Sequence, residues 1–205
     1  MNDEVTIKQI AHAQTVQQEA SDKSLLGFWV YLMTDCVLFA SLFATYAVLH
    51  KNTFGGPSGH DLFTPRLVLL ETLLLLTSSF TCGLMMLAAR AQQKKRVLQL
   101  LGLTGLLGAF FLLIELTEFR HLVIEGNNWR RSGFLSAFFT LVGTHGLHIL
   151  TGLLWLSVLI VKIVRGGLGH QTVKRLSLFS LFWHFLDVVW IFIFTIVYLL
   201  GIVSA

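Results

Sequence analysis

The chain has 205 residues, of which 55% are hydrophobic and only 13% are charged, and its formal net charge is +4. Soluble domains carry about 25% charged residues. The composition therefore excludes an ordinary soluble globular domain, and its apolar content excludes a disordered chain. It is typical of a helical protein that crosses a membrane several times.

Five apolar segments follow a polar start. Residues 1–24 are polar and predict a cytoplasmic N-terminal tail that frays. Each later segment has enough apolar residues to cross a hydrocarbon layer of about 30 Å at about 1.5 Å per residue. The predicted fold class is therefore all-α, a polytopic membrane protein with five transmembrane helices over residues 25–202. The predicted spans are 25–49, 66–89, 97–119, 134–164 and 175–202.

The connections between these spans carry most of the charge. Residues 55–59 form a glycine-rich turn, and the other links (90–96, 125–131 and 165–175) contain charged residues. Ten of the 15 Lys and Arg residues fall on the side of the N-terminus, and five fall on the other side. Because cytoplasmic loops are richer in Lys and Arg, the N-terminus is predicted to be cytoplasmic and the C-terminus periplasmic. Topology thus explains the positive charge, and no nucleic-acid partner is expected.

Eight ionisable side chains fall inside the predicted spans, where each costs about 2.5–3.5 kcal/mol on insertion scales. Counted at about 1.5 Å per residue from the span ends, Asp35, His145 and His184 lie near mid-depth. The glutamates form a layer nearer the periplasmic ends. The candidate site residues are Asp35, Glu71, Glu115, Glu118, His145, His148, His184 and Asp187. None is assigned a catalytic or a metal-binding role.

Helical spacing pairs several of these residues. Residues three apart share a face, as do Glu115 and Glu118, His145 and His148, and His184 and Asp187. Two interpretations stay open at this point. The side chains can be hydrogen-bonded groups that fix the packing of the helices, or they can line a polar cleft for protons, a lipid head group or a cofactor.

Sharper chemical interpretations fit the spacing less well. A metal centre needs three or four converging ligands, and the three histidines occur without a pattern such as HExxH. A haem between His145 and His184 is allowed by their similar depth. Cys36 and Cys82 lie in apolar runs and are read as small buried hydrophobic residues. Gly105, Gly108, Gly143 and Gly146 give two helices small faces, which we interpret as packing surfaces within this chain. Docking of another membrane subunit on the Phe- and Leu-rich helices is the alternative.

Two long motifs resemble those of a known family. The run Gly143–His148, followed by Gly152, is similar to the GxHGLHxxxG signature of subunit III of haem–copper terminal oxidases. Residues 182–190, with the sequence FWHFLDVVW, resemble that family's WHFxDVVW motif. Glu118 with Phe119 matches its acidic–aromatic pair, and Asp35 stands where the family has an embedded carboxylate, commonly Glu.

The resemblance covers about residues 25–202 and is greatest to the cytochrome o ubiquinol oxidase branch, through residues 27–33, 55–57 and 131–139. It implies a subunit III of the five-span form in a bacterial inner membrane. Subunit I would carry haem and copper, oxidise ubiquinol and pump protons, and subunits I, II and IV would be partners. This chain would bind no redox metal. Its bundle would hold phospholipid in a cleft and support the stability, proton uptake or oxygen access of subunit I.

Details depart from the family pattern. Asp35 is one methylene shorter than the usual Glu. Glu71 and Glu115 stand where many relatives have neutral amides, so they are expected to pair with each other or with Arg120. The resemblance also implies that the histidines are structural or line the cleft. A small proton-coupled transporter and a cytochrome b-like haem carrier are the alternative functions.

Overall fold

The structure, a computed structural model, describes residues 2–53 and 65–199, and within these ranges it contains helices and no strand. The helices are α1 (Asn2–Leu49), α2 (Pro65–Arg90), α3 (Lys94–Ile124), α4 (Gly133–Gly166) and α5 (His170–Ile193), and a π-helical segment, Phe194–Leu199, continues α5. The all-α fold class is confirmed.

Five helical segments are long and apolar enough to cross a membrane: Lys23–Leu49, Arg66–Arg90, Lys94–Ile124, Gly133–Gly166 and His170–Leu199. They confirm the five predicted spans. The third runs five residues beyond the predicted end at 119, and the fifth begins five residues before the predicted start at 175. The predicted turn at 55–59 and the end of the last span at 200–202 lie outside the described residues.

The prediction of a frayed tail is wrong for the backbone. Helix α1 begins at Asn2 and continues without interruption into the first span. No Gly or Pro occurs before Gly27, and the segment is rich in Gln, Ala, Glu and Lys, which have high helix propensity. Polarity alone indicated a tail, whereas local propensity favours a helix.

The chain divides into two compact units, residues 1–38 and residues 39–205. The first unit contains most of α1. In the second unit, α2, α3, α4 and α5 form a closed ring in which each helix contacts the two beside it. Trp183, Trp190, Tyr198 and Phe111 are the largest fully buried side chains among the described residues of this unit. They place a dense aromatic core at the centre of the second unit.

Glycines allow this core to pack closely. A Cβ atom at Gly108 would lie 2.8 Å from the ring of Trp183, and one at Gly152 would lie 2.9 Å from the same ring. A Cβ atom at Gly146 would lie 2.9 Å from Oε1 of Glu115. Since these are contacts within the second unit, the prediction that the small faces serve packing within the chain is confirmed for Gly108 and Gly146.

The turns at the two ends of α4 have specific chemistry. Ser132 caps the N-terminus, where its Oγ accepts a hydrogen bond from the backbone N–H of Leu135 at 3.2 Å. Gly167 follows the C-terminus with φ of +74°, a conformation that residues with a Cβ atom rarely adopt. These features begin and end the helix that carries His145 and His148.

Candidate functional site

One layer of polar side chains joins α2, α3 and α5 through hydrogen bonds. Ser78 Oγ accepts a hydrogen bond from Trp183 Nε1 at 3.0 Å and donates one to the carbonyl of Thr104 at 3.1 Å. The hydroxyls of Thr81 and Thr104 lie 2.8 Å apart. We call Ser78, Thr81, Thr104 and Trp183 the hydroxyl layer. It is buried, and its hydrogen bonds fix the register of three helices.

The hydroxyl layer is not among the sites predicted from the sequence. Its signal is the run of hydroxyl side chains at residues 77–79 and at Thr81 inside a span. Most Ser and Thr side chains in helices bond to their own backbone one turn earlier, as Thr77 does to the carbonyl of Leu73. Only the packing of α2 against α3 and α5 distinguishes Ser78 from Thr77.

A second contact links α2 to α5 through His184. Nδ1 of His184 lies 2.7 Å from Ser79 Oγ and 3.8 Å from Oδ2 of Asp187. The structure thus brings together the predicted pair and adds a serine from another helix. In a hydrolytic triad the serine and the acid bond opposite ring nitrogens, whereas both partners here face Nδ1. The arrangement does not activate Ser79 as a nucleophile.

The other two histidines, on α4, both lie beside the ring of Phe39 but differ in their hydrogen bonds. His145 has no exposed surface and lies among the rings of Phe111, Trp190 and Phe39, with centroids 5.9, 5.4 and 6.4 Å away. Neither of its ring nitrogens has a hydrogen-bond partner among the described residues. Nδ1 of His148 donates to the carbonyl of Thr144 at 2.8 Å.

The three histidines therefore do not converge. His145 is enclosed by aromatic rings of α1, α3 and α5, and His184 is bonded to α2. In the part of the chain that the structure describes, no group of three or more His, Cys, Asp or Glu side chains could hold a metal ion. The arrangement favours neither the metal centre nor the haem shared by His145 and His184.

Three glutamates from α2 and α3 come together near the periplasmic side predicted from the sequence. Glu71 is 0% exposed and Glu115 is 2% exposed, and Glu71, Glu115 and Glu118 interact electrostatically. We call these three residues the acid cluster. Both carboxyl oxygens of Glu71, and one oxygen of each of the other two, have no hydrogen-bond partner among the described residues.

Glu71 and Glu115 lie near each other, as the first expected pairing requires, whereas the alternative pairing with Arg120 is not formed among the described residues. Arg120 is exposed, and the described residues form no ion pair between it and Glu71 or Glu115. Three neighbouring carboxylates without a cation would be very costly to bury in ionised form.

Asp35 belongs to the first unit, where it is 6% exposed. The hydroxyl of Tyr31, one helical turn earlier, donates a hydrogen bond to its carboxylate. This local contact satisfies part of the hydrogen-bonding capacity of an acid that the sequence places near mid-depth.

The family model described as "Cytochrome c oxidase subunit III" matches residues 2–202. The chain belongs to the cytochrome c oxidase subunit III family. A protein of Pseudomonas aeruginosa named "Cytochrome bo(3) ubiquinol oxidase subunit 3" is 53% identical over 94% of this chain and 92% of its own length. A protein of Pseudomonas putida with the same name is 54% identical over 90% of this chain and 89% of its own length.

Another relative, the "Cytochrome c oxidase subunit 3" of Bacillus sp. (strain PS3), is 48% identical over 87% of this chain and 86% of its own length. Membership of the subunit III family confirms the resemblance found in the sequence. The two motifs that carried it pack against each other: the ring of His145 lies 5.4 Å from that of Trp190, and Gly152 contacts the ring of Trp183.

Proposed function

We propose that this chain is the non-catalytic subunit III of a proton-pumping, bo-type ubiquinol oxidase. The observation that supports this most directly is its identity of more than half, over nearly the whole chain, to two proteins named as subunit 3 of that oxidase. A relative named for cytochrome c oxidase is nearly as similar. The choice of electron donor therefore rests on the other subunits of the complex.

The contacts of the polar side chains support a structural role. Ser78, Trp183 and Thr104 bond to one another, and His184 bonds to Ser79, so these groups join helices. In the proposed complex, haem and copper belong to subunit I, and this chain binds no redox cofactor. Subunits I, II and IV are the proposed protein partners.

Affinity purification through a tag on this chain tests the proposal. We expect the chain to co-purify with haem-bearing subunits in a complex that oxidises ubiquinol, and to be colourless when purified alone. A tagged chain that never co-purifies with an oxidase would refute the proposal. Proton-coupled solute flux in proteoliposomes that contain only this chain would support the transporter instead.

The proposed location is the bacterial inner membrane, with the N-terminus in the cytoplasm and the C-terminus in the periplasm. The excess of Lys and Arg in the helix ends that flank the α2–α3 and α4–α5 links supports this orientation. A reporter that is active only in the cytoplasm should be silent when fused to the C-terminus. An active fusion would require the opposite orientation.

We also propose that phospholipid binds to the cytoplasmic half of α4. A groove of about 600 Å³ is lined there by Val158 and Val161, and by the cationic residues Lys162 and Arg165. Basic residues at the end of an apolar wall suit an anionic head group and its acyl chain. Replacing both cations by Gln should reduce the anionic lipid that co-purifies with the complex, and unchanged lipid content would contradict this assignment.

The proposed functional residues are embedded polar side chains: Asp35 in the first unit and, in the second unit, His145, His148, His184, Asp187 and the acid cluster. These residues would aid proton uptake, oxygen access or the durability of subunit I. Asp35→Asn should reduce the number of turnovers that the oxidase completes before it inactivates, and it should change the KM for quinol little. An unchanged inactivation rate would remove Asp35 from the functional residues.

A further inference from the structure

A groove of about 830 Å³ runs along the outer face of α2. Seven of its lining residues belong to α2, from Leu76 to Leu87, and the eighth is His184 of α5. At about 1.5 Å per residue, the α2 part is about 16 Å long, which corresponds to three helical turns. All of these residues belong to the second unit.

The groove combines residues with small side chains, which form its floor, with large apolar side chains, which form its rims. Ser79 and Gly83 are one turn apart, and a Cβ atom at Gly83 would meet no other atom within 4 Å. Leu76, Phe80 and Leu87 are 59%, 67% and 61% exposed. Small residues flanked by larger ones let the backbone of another helix approach closely.

Three polar side chains line this groove, and the hydroxyl groups of Thr77 and Ser79 are already hydrogen-bonded. Nδ1 of His184 is already engaged by Ser79 at 2.7 Å and approached by Asp187 at 3.8 Å. Nε2 has no hydrogen-bond partner among the described residues, although the side chain is 41% exposed. The Ser79–His184 contact lies about 16 Å from the Arg90 end of α2, and therefore within the hydrocarbon layer.

A polar atom at this depth needs a partner other than water or a phospholipid head group, because both are confined to the membrane surface. An acyl chain would fill the apolar rims and leave Nε2 unbonded. A transmembrane helix fits both features, since it can lie on the small floor and place one hydrogen-bonding side chain opposite His184.

We infer that the α2–His184 groove is a docking site for a transmembrane helix of another oxidase subunit, which carries one hydrogen-bonding side chain at mid-depth opposite Nε2 of His184. The inference rests on the proposed function, because it requires the chain to be part of a multi-subunit oxidase. Beyond the proposed function, the inference specifies which face of the chain contacts the neighbouring subunit and which hydrogen bond forms there.

Photo-crosslinking in the purified complex tests the inference. A benzoylphenylalanine residue at position 80 replaces one aromatic ring by another at an exposed site, and mass spectrometry identifies its adducts. We expect an adduct with a transmembrane peptide of another oxidase subunit. Adducts with lipid or quinone only, or no adduct above a sample kept in the dark, would overturn the inference.

A pair of glycine variants gives an independent measurement. Gly83→Trp fills the floor of the groove, whereas Gly102→Trp places the same ring on α3, where the added Cβ atom also meets no other atom within 4 Å. The clash of the new ring with the docked helix should reduce retention of the chain in the complex about tenfold for Gly83→Trp, which corresponds to about 1.4 kcal/mol. Gly102→Trp should be retained like the parent chain. Equal retention of both variants would contradict docking in the groove.

Failure of the docking inference can be distinguished from failure of the proposed function. If the parent chain is present in the oxidase but position 80 does not crosslink to a subunit, the groove assignment fails and the proposed function stands. If the parent chain never associates with an oxidase, the proposed function itself fails.

Discussion

The hydroxyl layer and the acid cluster both join α2 to α3, but they differ in how they satisfy their polar atoms. On α2, Ser78 lies about 10 Å from Glu71 along the helix axis. Ser78 takes part in two cross-helix hydrogen bonds. Glu71 has none at either carboxyl oxygen among the described residues, although it is equally buried.

The difference separates two uses of polar side chains in a membrane bundle. The hydroxyl layer holds helices in register, so its loss should destabilise the fold. The acid cluster contributes few hydrogen bonds to the fold. Neutral replacements of its glutamates should therefore change stability little, and any effect should appear in the activity of the oxidase. Variants in the two regions can test this contrast.

The largest effect is expected at Trp183, whose ring is fully buried and whose Nε1 donates to Ser78. Trp183→Ala removes a large core side chain and should lower the free energy of unfolding by about 3–5 kcal/mol. Denaturant unfolding of the purified chain in detergent measures this change. Trp129→Ala, at a ring that is 53% exposed, is the matched control and should change stability by less than about 0.5 kcal/mol.

Gly108→Ala should have the next largest effect. The new methyl group would lie 2.8 Å from the ring of Trp183, and such overpacking costs about 1–3 kcal/mol. Gly102→Ala on the same helix has open space around the new methyl group and should leave stability unchanged or slightly raised. If both variants unfold alike in the same assay, close packing of the ring on α3 would be ruled out.

Ser78→Ala tests the hydrogen bonds of the hydroxyl layer directly. It leaves Trp183 Nε1 without its acceptor, and it should cost about 1 kcal/mol, as expected for a hydrogen bond between membrane helices. Thr77→Ala removes only a bond to the carbonyl of Leu73 in the same helix and should cost clearly less. A cost for Thr77→Ala equal to that for Ser78→Ala would contradict the special position of Ser78.

The smallest effect on stability is expected for Glu115→Gln. The amide has nearly the same shape as the carboxyl group and adds no charge, and Oε2 of Glu115 has no hydrogen bond to lose among the described residues, so the change should be below about 0.5 kcal/mol. A loss larger than that of Ser78→Ala would show that the carboxyl group makes a strong interaction, and the contrast between the two layers would fail.

The fold was predictable because its main signals are local. Hydropathy located all five spans, and helical spacing paired His184 with Asp187. The short link between α2 and α3 makes them an antiparallel hairpin, so similar distances from the link placed Glu71 near Glu115. The N-terminal segment differs from its prediction because its helix propensity outweighs its polar composition.

Contacts between helices were less predictable. Whether Ser78 or Thr77 faces α3 depends on the rotation of α2 about its axis, and an apolar span has no polar face that reveals this rotation. For the same reason the sequence placed His145 and His184 in one layer but could not show that one is enclosed by rings and the other opens into a groove. Side-chain partners such as Ser79 follow only from packing.

Removing this chain from the oxidase tests the central claim most directly, namely that it supports the enzyme and carries no redox step. Oxidase purified without it should retain its haem spectrum and its initial rate of ubiquinol oxidation per haem, but it should inactivate within fewer turnovers than the complete complex. Loss of a haem signal or of the initial rate would contradict a non-catalytic role. An unchanged turnover lifetime would contradict the supporting role.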